Sequence, residues 1–276
     1  MTLSGTEGGP GFDELVRIIA RLRAPDGCPW DREQTHATLG KHLIEESYEA
    51  LATIEAGDDA ALADELGDVL LQVVLHAQIG AEDGTFTIDD VLDNITTKIR
   101  RRHPHIFGEV TVADSAEVMR NWDAIKREEK QQASVLGEVP RTLPALMLAQ
   151  KISRRAAGAG FEWDDLDGVW EKVDEEIDEV RATVPGSAEA AAEIGDLLFT
   201  VVNVARKMGV DAESALRGTC AKFERRFTGM ETASAQAGRP LDELGADEWE
   251  ELWRQAKEAE SAGSERPHDV KEQEKR

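Results

Sequence analysis

The chain repeats itself. Glu45-Glu46-x-x-Glu49 returns as Glu175-Glu176-x-x-Glu179 at an offset of 130, and Glu65-Leu66-Gly67-Asp68 returns as Glu193-Ile194-Gly195-Asp196 at an offset of 128. Lys98-Ile99-Arg100-Arg101-Arg102 is matched by Lys222-Phe223-Glu224-Arg225-Arg226 at 124, and Trp122-x-x-x-Lys126 by Trp253-x-x-x-Lys257 at 131. Four motifs keep one order while the loops between them drift in length. A period this long means a duplicated domain, not a solenoid of short stacked units. A length of 276 residues suits two domains of ordinary size. The expected division is a first repeat over 12–130, a linker over 131–142 and a second repeat over 143–260. Residues 1–11 and 261–276 carry too few apolar side chains to join a core and are expected to be disordered tails.

Within each repeat the apolar spacing is helical. "FDELVRIIARLR" runs into the turn-rich "APDGCPWD". One helix is expected from about Thr38 to Ala56, broken at Gly57-Asp58, and another from about Asp59 to Ala81. Thr87 is placed to cap "IDDVLDNITTKIRRR", whose first turn is acidic and last turn basic, as the helix dipole favours. Asp114 or Ser115 can cap "AEVMRNWDAIKREEK". No alternating run is long enough for a convincing strand. The fold class is therefore all-α, two tandem helical bundles.

The carboxylates are the chemical puzzle. Each helical residue turns by about 100°, so Glu45, Glu46 and Glu49 share an arc of about that width, with His42 inside it. Glu65 and Asp68 share a face of the next helix. Two helices joined by a short turn can bring both groups together. Several close carboxylates repel one another, so they must either bind protons or hold cations. Oxygen donors without Cys or paired His suit Mg²⁺ or Mn²⁺. The plain alternative is a solvated acidic face. The repeat weighs against it, since such a face need not keep both registers twice. A di-iron bundle wants Glu-x-x-His. The match at Glu33-Gln-Thr-His36 lies in a loop-like stretch and has no counterpart in the second repeat.

Charge narrows the partners. Lys plus Arg number 32 and Asp plus Glu 56, a formal net charge of −24, which repels nucleic acid and anionic membrane. No apolar run reaches the roughly 20 residues of a membrane span. The N-terminus lacks the basic start and apolar stretch of a secretory signal. Cys28 and Cys220 stand far apart, which fits a reducing cytoplasm. Against this acidic background the clusters Lys98, Arg100, Arg101, Arg102 and Lys222, Arg225, Arg226 stand out. They have two readings: dipole compensation at helix ends, or a grip on the oxygens of a polyphosphate alongside metal carboxylates. No GxxxxGK[ST] loop is present, which excludes a P-loop enzyme. Trp122 and Trp253 are open to packing and to base stacking.

Taken together, "RLRAPDGCPWDREQTHATL", "EESYEAL", "ELGDVLLQVV" and "RRHPHIFGE" in the first half, with "RTLPALMLAQK", "GFEWDDL", "EEIDEV", "EIGDLLF" and "KFERRF" in the second, are specific. The chain closely resembles the two-repeat MazG nucleoside triphosphate pyrophosphohydrolases of the all-α NTP pyrophosphatase superfamily. The resemblance implies Mg²⁺-dependent conversion of a nucleoside triphosphate and water to monophosphate and diphosphate, with Mn²⁺ as a possible substitute. It implies Glu176, Glu179, Glu193 and Asp196 as metal ligands. Lys172, Glu175, Lys222, Arg225, Arg226, Trp253 and Lys257 would line the nucleotide site, together with Glu176 and Asp196.

In that chemistry Glu175, spare as a ligand, could orient or deprotonate the water, and Lys222 and Arg226 would steady the leaving group. A second possible site comprises Glu45, Glu46, Glu49, Glu65, Asp68, Lys98, Arg101, Arg102, Trp122 and Lys126. Lys172 is replaced there by His42 and Glu224 by Arg100, so the second repeat is expected to be the main catalyst. Small helical domains leave apolar stripes uncovered, so a homodimer is expected. The alternative function is a non-catalytic helical nucleotide sensor or partner-binding module.

Overall fold

The structure is a computed structural model that describes residues 11–130, 134–137 and 139–264. The chain divides into two compact units, Met1–Gln131 and Gln132–Arg276. Among the described residues the regular structure is helical and no strand occurs. Residues 1–10 and 265–276 of the expected tails, and 131–133 and 138 of the expected linker, lie outside the described residues.

In the first unit α1 (Phe12–Arg23) and the short α2 (Pro29–Glu33) lead into a hairpin of α3 (His36–Ala56) and α4 (Asp59–Glu82). Thr35 opens α3 with a capping box: its hydroxyl accepts from the Thr38 amide, and the Thr38 hydroxyl accepts from the Thr35 amide. This cap starts the helix two residues earlier than the periodicity indicated and makes His36 its first residue. Gly57 ends it at φ 68°, in the left-handed region that favours glycine, and Asp58 caps α4 by accepting from the Ala61 amide. The hairpin is thus set by local chemistry. Its inner face buries Leu39, Val74, Leu75 and Ile79 against Ile19 of α1. Each such aliphatic side chain contributes about 1.5–3 kcal/mol on burial.

Helix α5 (Ile88–Arg102) starts at Thr87 through the expected cap and packs on α4; α6 (Pro104–Phe107) is one turn; α7 (Ser115–Lys130) packs on α5.

The second unit reproduces this plan. Its helices are α8 (Ala145–Ala157), α9 (Asp167–Ala182), α10 (Ala188–Lys207), α11 (Ala212–Gln236) and α12 (Ala246–Ser264). Helices α9 and α10 form the hairpin, α8 packs on α10 as α1 does on α4, and α12 packs on α11 as α7 does on α5. Ser187 and Asp211 cap α10 and α11. Val169, Val173 and Val204 form the core with Trp163, Leu166, Ile177 and Leu197. Helix α12 continues to Ser264, past the expected end of the repeat at residue 260.

Candidate metal and nucleotide site

Turns of one hairpin place the acids of the second unit. Glu175, Glu176 and Glu179 lie on α9, Glu193 and Asp196 on α10. One carboxylate oxygen each from Glu176, Glu193 and Asp196 converges within 4.8 Å of the other two. Glu176 is buried, with only 4% of its surface exposed. Its Oε1 accepts from Lys172 Nζ at 2.8 Å, whereas its Oε2 is buried with no hydrogen-bond donor. Lys172 also reaches Glu175 at 3.0 Å and stands 4.0 Å from Glu179. Its hydrogen bonds to Glu176 and then Glu175 raise its pKa. Burial, and then the charges of Glu179, Asp196 and Glu176, push the Glu193 carboxyl above its ordinary value. An undonated buried oxygen amid mutually repelling carboxylates suits a hard cation.

The first unit builds the same hairpin cluster on different details. Oxygens of Glu46, Glu49 and Glu65 converge within 4.8 Å. Burial first, then Asp68, Glu49 and Glu65, raise the Glu46 carboxyl against the opposing effect of His42. Burial and the neighbouring Glu49, Asp68 and Asp64 charges do the same for Glu65. His42 pairs through Nδ1 with Glu45 Oε2 at 3.0 Å.

The basic residues gather on the second helix pair of each unit. Arg101 and Arg102 both bond Glu129 of α7, and Arg225 and Arg226 both bond Glu260 of α12. The Arg102 guanidinium lies 5.3 Å from the Trp122 ring centre, and that of Arg226 lies 5.6 Å from the Trp253 ring centre. Trp122 meets His103 edge-on at 5.0 Å, and Trp253 meets Phe223 at 5.4 Å. Both tryptophans therefore pack at the helix pair. Lys222 on α11 is half-buried, while Lys98 on α5 and Lys257 on α12 are exposed. Lys126 follows Trp122 by one turn on α7.

Glu129 and Glu260 did not emerge from the sequence, although each follows its tryptophan by seven residues and their repetition was a readable signal. A histidine pair was also missed. His36 Nδ1 and His76 Nδ1 are 2.7 Å apart in rings parallel to within 3°. The nitrogens come far closer than the 5.1 Å between ring centres, so the rings meet edge to edge. In the second unit the repeat register puts Leu166 and Val204 at these positions, both in the apolar core.

Tandem all-α units, each with converging carboxylates on a helical hairpin and Arg-Trp-Glu contacts on the following helix pair, define a class of repeated helical bundles whose acidic clusters could hold a metal ion. The chain belongs to the MazG family. The model of the MazG nucleotide pyrophosphohydrolase domain matches residues 34–107 and 167–229. Among similar proteins, the nucleoside triphosphate pyrophosphohydrolase/pyrophosphatase MazG of Thermotoga maritima is 44% identical over 253 residues, covering 91% of this chain and 97% of that protein. The nucleoside triphosphate pyrophosphohydrolase of Escherichia coli K12 is 46% identical over 257 residues, covering 90% and 98%. The uncharacterized protein YabN of Bacillus subtilis is 46% identical over 254 residues, covering 90% of this chain and 52% of that protein.

Proposed function

We propose that the protein is a Mg²⁺-dependent nucleoside triphosphate pyrophosphohydrolase, yielding a monophosphate and diphosphate and acting in the cytoplasm on nucleotide pools. The observation that carries the reading is the convergence of Glu176, Glu193 and Asp196, with one Glu176 oxygen buried and undonated, in a chain whose high-coverage relatives bear that name. Glu176, Glu179, Glu193 and Asp196 would hold Mg²⁺, or Mn²⁺ in its place, which would supply positive charge against the phosphate oxygens and make water more acidic.

This chain's own residues do the rest. Water attacks in line with the bond between the bridging oxygen and phosphorus of the α–β anhydride. An O–P bond forms as the bridging bond breaks, and diphosphate leaves with the bonding pair. Glu175 lies exposed on α9 beside Glu176 and accepts the water's proton. Lys222 and Arg226 balance charge on the leaving group, Arg226 from a position fixed by Glu260 and Trp253. Lys172, Arg225, Trp253 and Lys257 complete the nucleotide site.

Gly67 and Gly195 support a molecule approaching beside the acids. A glycine inside a helix costs about 1 kcal/mol relative to alanine. Yet an added Cβ at either position would meet nothing within 4 Å, so packing within the unit does not require glycine. Homodimerisation is supported by large apolar side chains left exposed on the hairpins, among them Ile44, Tyr48 and Leu66 in the first unit and Ile194 and Leu198 in the second. The net charge of −24 supports small-molecule substrates over nucleic acid. No helix among the described residues is long and apolar enough to cross a membrane.

The test is incubation of the pure protein with each NTP and Mg²⁺, with products separated by ion-exchange chromatography. Monophosphate with diphosphate is expected. Tight Mg²⁺–NTP binding without turnover would leave a nucleotide sensor, and nucleoside diphosphate with orthophosphate would contradict the bond assigned.

A further inference from the structure

The two carboxylate clusters differ in one respect that bears on how each takes a cation. In the second unit a permanent positive charge already sits among the acids. Lys172 Nζ bonds Glu176 Oε1 at 2.8 Å and Glu175 Oε1 at 3.0 Å, and lies 4.0 Å from Glu179 Oε2. It therefore spans three of the acids on α9, Glu175, Glu176 and Glu179. In the first unit the same register holds His42, which pairs only with the exposed Glu45 at 3.0 Å and not with the converging Glu46, Glu49 and Glu65.

We infer that Lys172 is a tethered counter-cation that a divalent metal must displace from the second cluster, and that its displacement delivers the ammonium to the phosphates of the incoming nucleotide. The inference rests on reading the cluster as a divalent-cation site. Glu176 joins both arrangements. Its Oε1 is taken by Lys172, its Oε2 is left without a donor, and one of its oxygens converges with Glu193 and Asp196. A divalent ion held by that oxygen would stand within a few ångströms of a like charge, and the repulsion falls on the mobile partner. The lysine is that partner. Its side chain is about one-third exposed, at 34%, on a flexible four-carbon stem, whereas the Glu176 side chain is 5% exposed and fixed in place.

The ammonium that leaves the carboxylates is stranded unless another anion receives it. A polyphosphate entering beside the metal supplies that anion. Metal and nucleotide then favour each other's binding through one side chain, by the reciprocity that governs any such coupling. The first unit has no such device, because His42 is bonded to Glu45 and to none of the three converging acids.

The experiment measures Mn²⁺ binding by electron paramagnetic resonance in the full chain, one cluster at a time. Glu46→Ala with Glu49→Ala leaves the second cluster, and Glu176→Ala with Glu179→Ala leaves the first. On the first background, Lys172→Met is expected to tighten Mn²⁺ by about tenfold, the order expected from removing a like charge at a few ångströms near solvent. Lys172→Arg, which keeps the charge, is expected to stay near the parent. On the other background, His42→Lys is expected to weaken Mn²⁺. Lys172→Met should also reduce the tightening of Mn²⁺ by a non-hydrolysable NTP analogue. Lys172→Gln removes the same charge should the methionine variant fold poorly. Unchanged or weaker Mn²⁺ binding in both neutral variants would overturn the inference while leaving the cation site intact. No Mn²⁺ binding by the unsubstituted second cluster would instead overturn the reading of the site, and this inference with it.

Discussion

Arg102 donates from Nε and Nη2 to Glu129 Oε2 at 3.1 and 2.5 Å, tying the end of α5 to α7. Arg226 and Glu260 repeat the contact at 2.7 Å between α11 and α12. Both carboxylates sit behind a guanidinium that also covers a tryptophan, so charge and aromatic packing close one joint.

The joint in the first unit should show in acid unfolding. The Arg102 hydrogen bond, with help from Arg101, holds the Glu129 carboxyl down to about 2, from an ordinary value of 4.5. A depressed folded-state pKa contributes stability that is fully present above the unfolded value and is lost as pH falls through the folded one. Urea unfolding should therefore show the wild type losing stability between about pH 4.5 and 2 more steeply than Glu129→Gln. Parallel losses would show that the pair contributes nothing.

How much of this was legible in the sequence follows the range of each interaction. Thr87 and the Gly57-Asp58 break were readable because caps and turns act within a few residues. The all-α class and the tandem order were readable for the same reason, since period and repetition are written along the chain. Helix α2 was not read because its five residues hold less than two turns, too few for a period. Arg102–Glu129 and His36–His76 span 27 and 40 residues, and only the packed hairpins bring them together. Lys172 and Glu176 are a different case. One helical turn apart, they were readable as an ion pair, but the expectation placed the lysine on the nucleotide and the glutamate on both metal and nucleotide.

The cluster should strain the metal-free protein. Glu193 has a raised folded-state pKa, so its ionised form at neutral pH opposes folding and its stability contribution returns as pH falls through the folded value. Glu193→Gln should raise the melting temperature at pH 7 in the presence of a chelator. Adding Mg²⁺ should raise that of the wild type by more than that of the variant. A lowered melting temperature for the variant in chelator would contradict the repulsion argument.

Gly195 lies between Glu193 and Asp196 on α10, with open space where a Cβ would be. Gly195→Ala should stabilise the second unit by about 1 kcal/mol, as helix propensity dictates. It should lower kcat/KM if substrate approaches there. Stabilisation with full activity would show that the open space serves no substrate.

Asp196 is exposed, and removing it relieves repulsion. Asp196→Ala should keep the far-ultraviolet circular dichroism of the wild type while losing turnover at limiting Mg²⁺. Wild-type activity under that condition would remove Asp196 from the ligand set.

The second cluster is proposed to carry the main hydrolysis. A matched pair tests it most directly: Glu46→Ala with Glu49→Ala in one protein, and Glu176→Ala with Glu179→Ala in the other, each followed by phosphorus-31 NMR with NTP and saturating Mg²⁺. The first protein is expected still to form monophosphate and diphosphate, while the second loses at least about a hundredfold in rate, the scale on which lost charge stabilisation at a reacting phosphate is felt. A silent first protein beside a second one that hydrolyses NTP at the wild-type rate would contradict it.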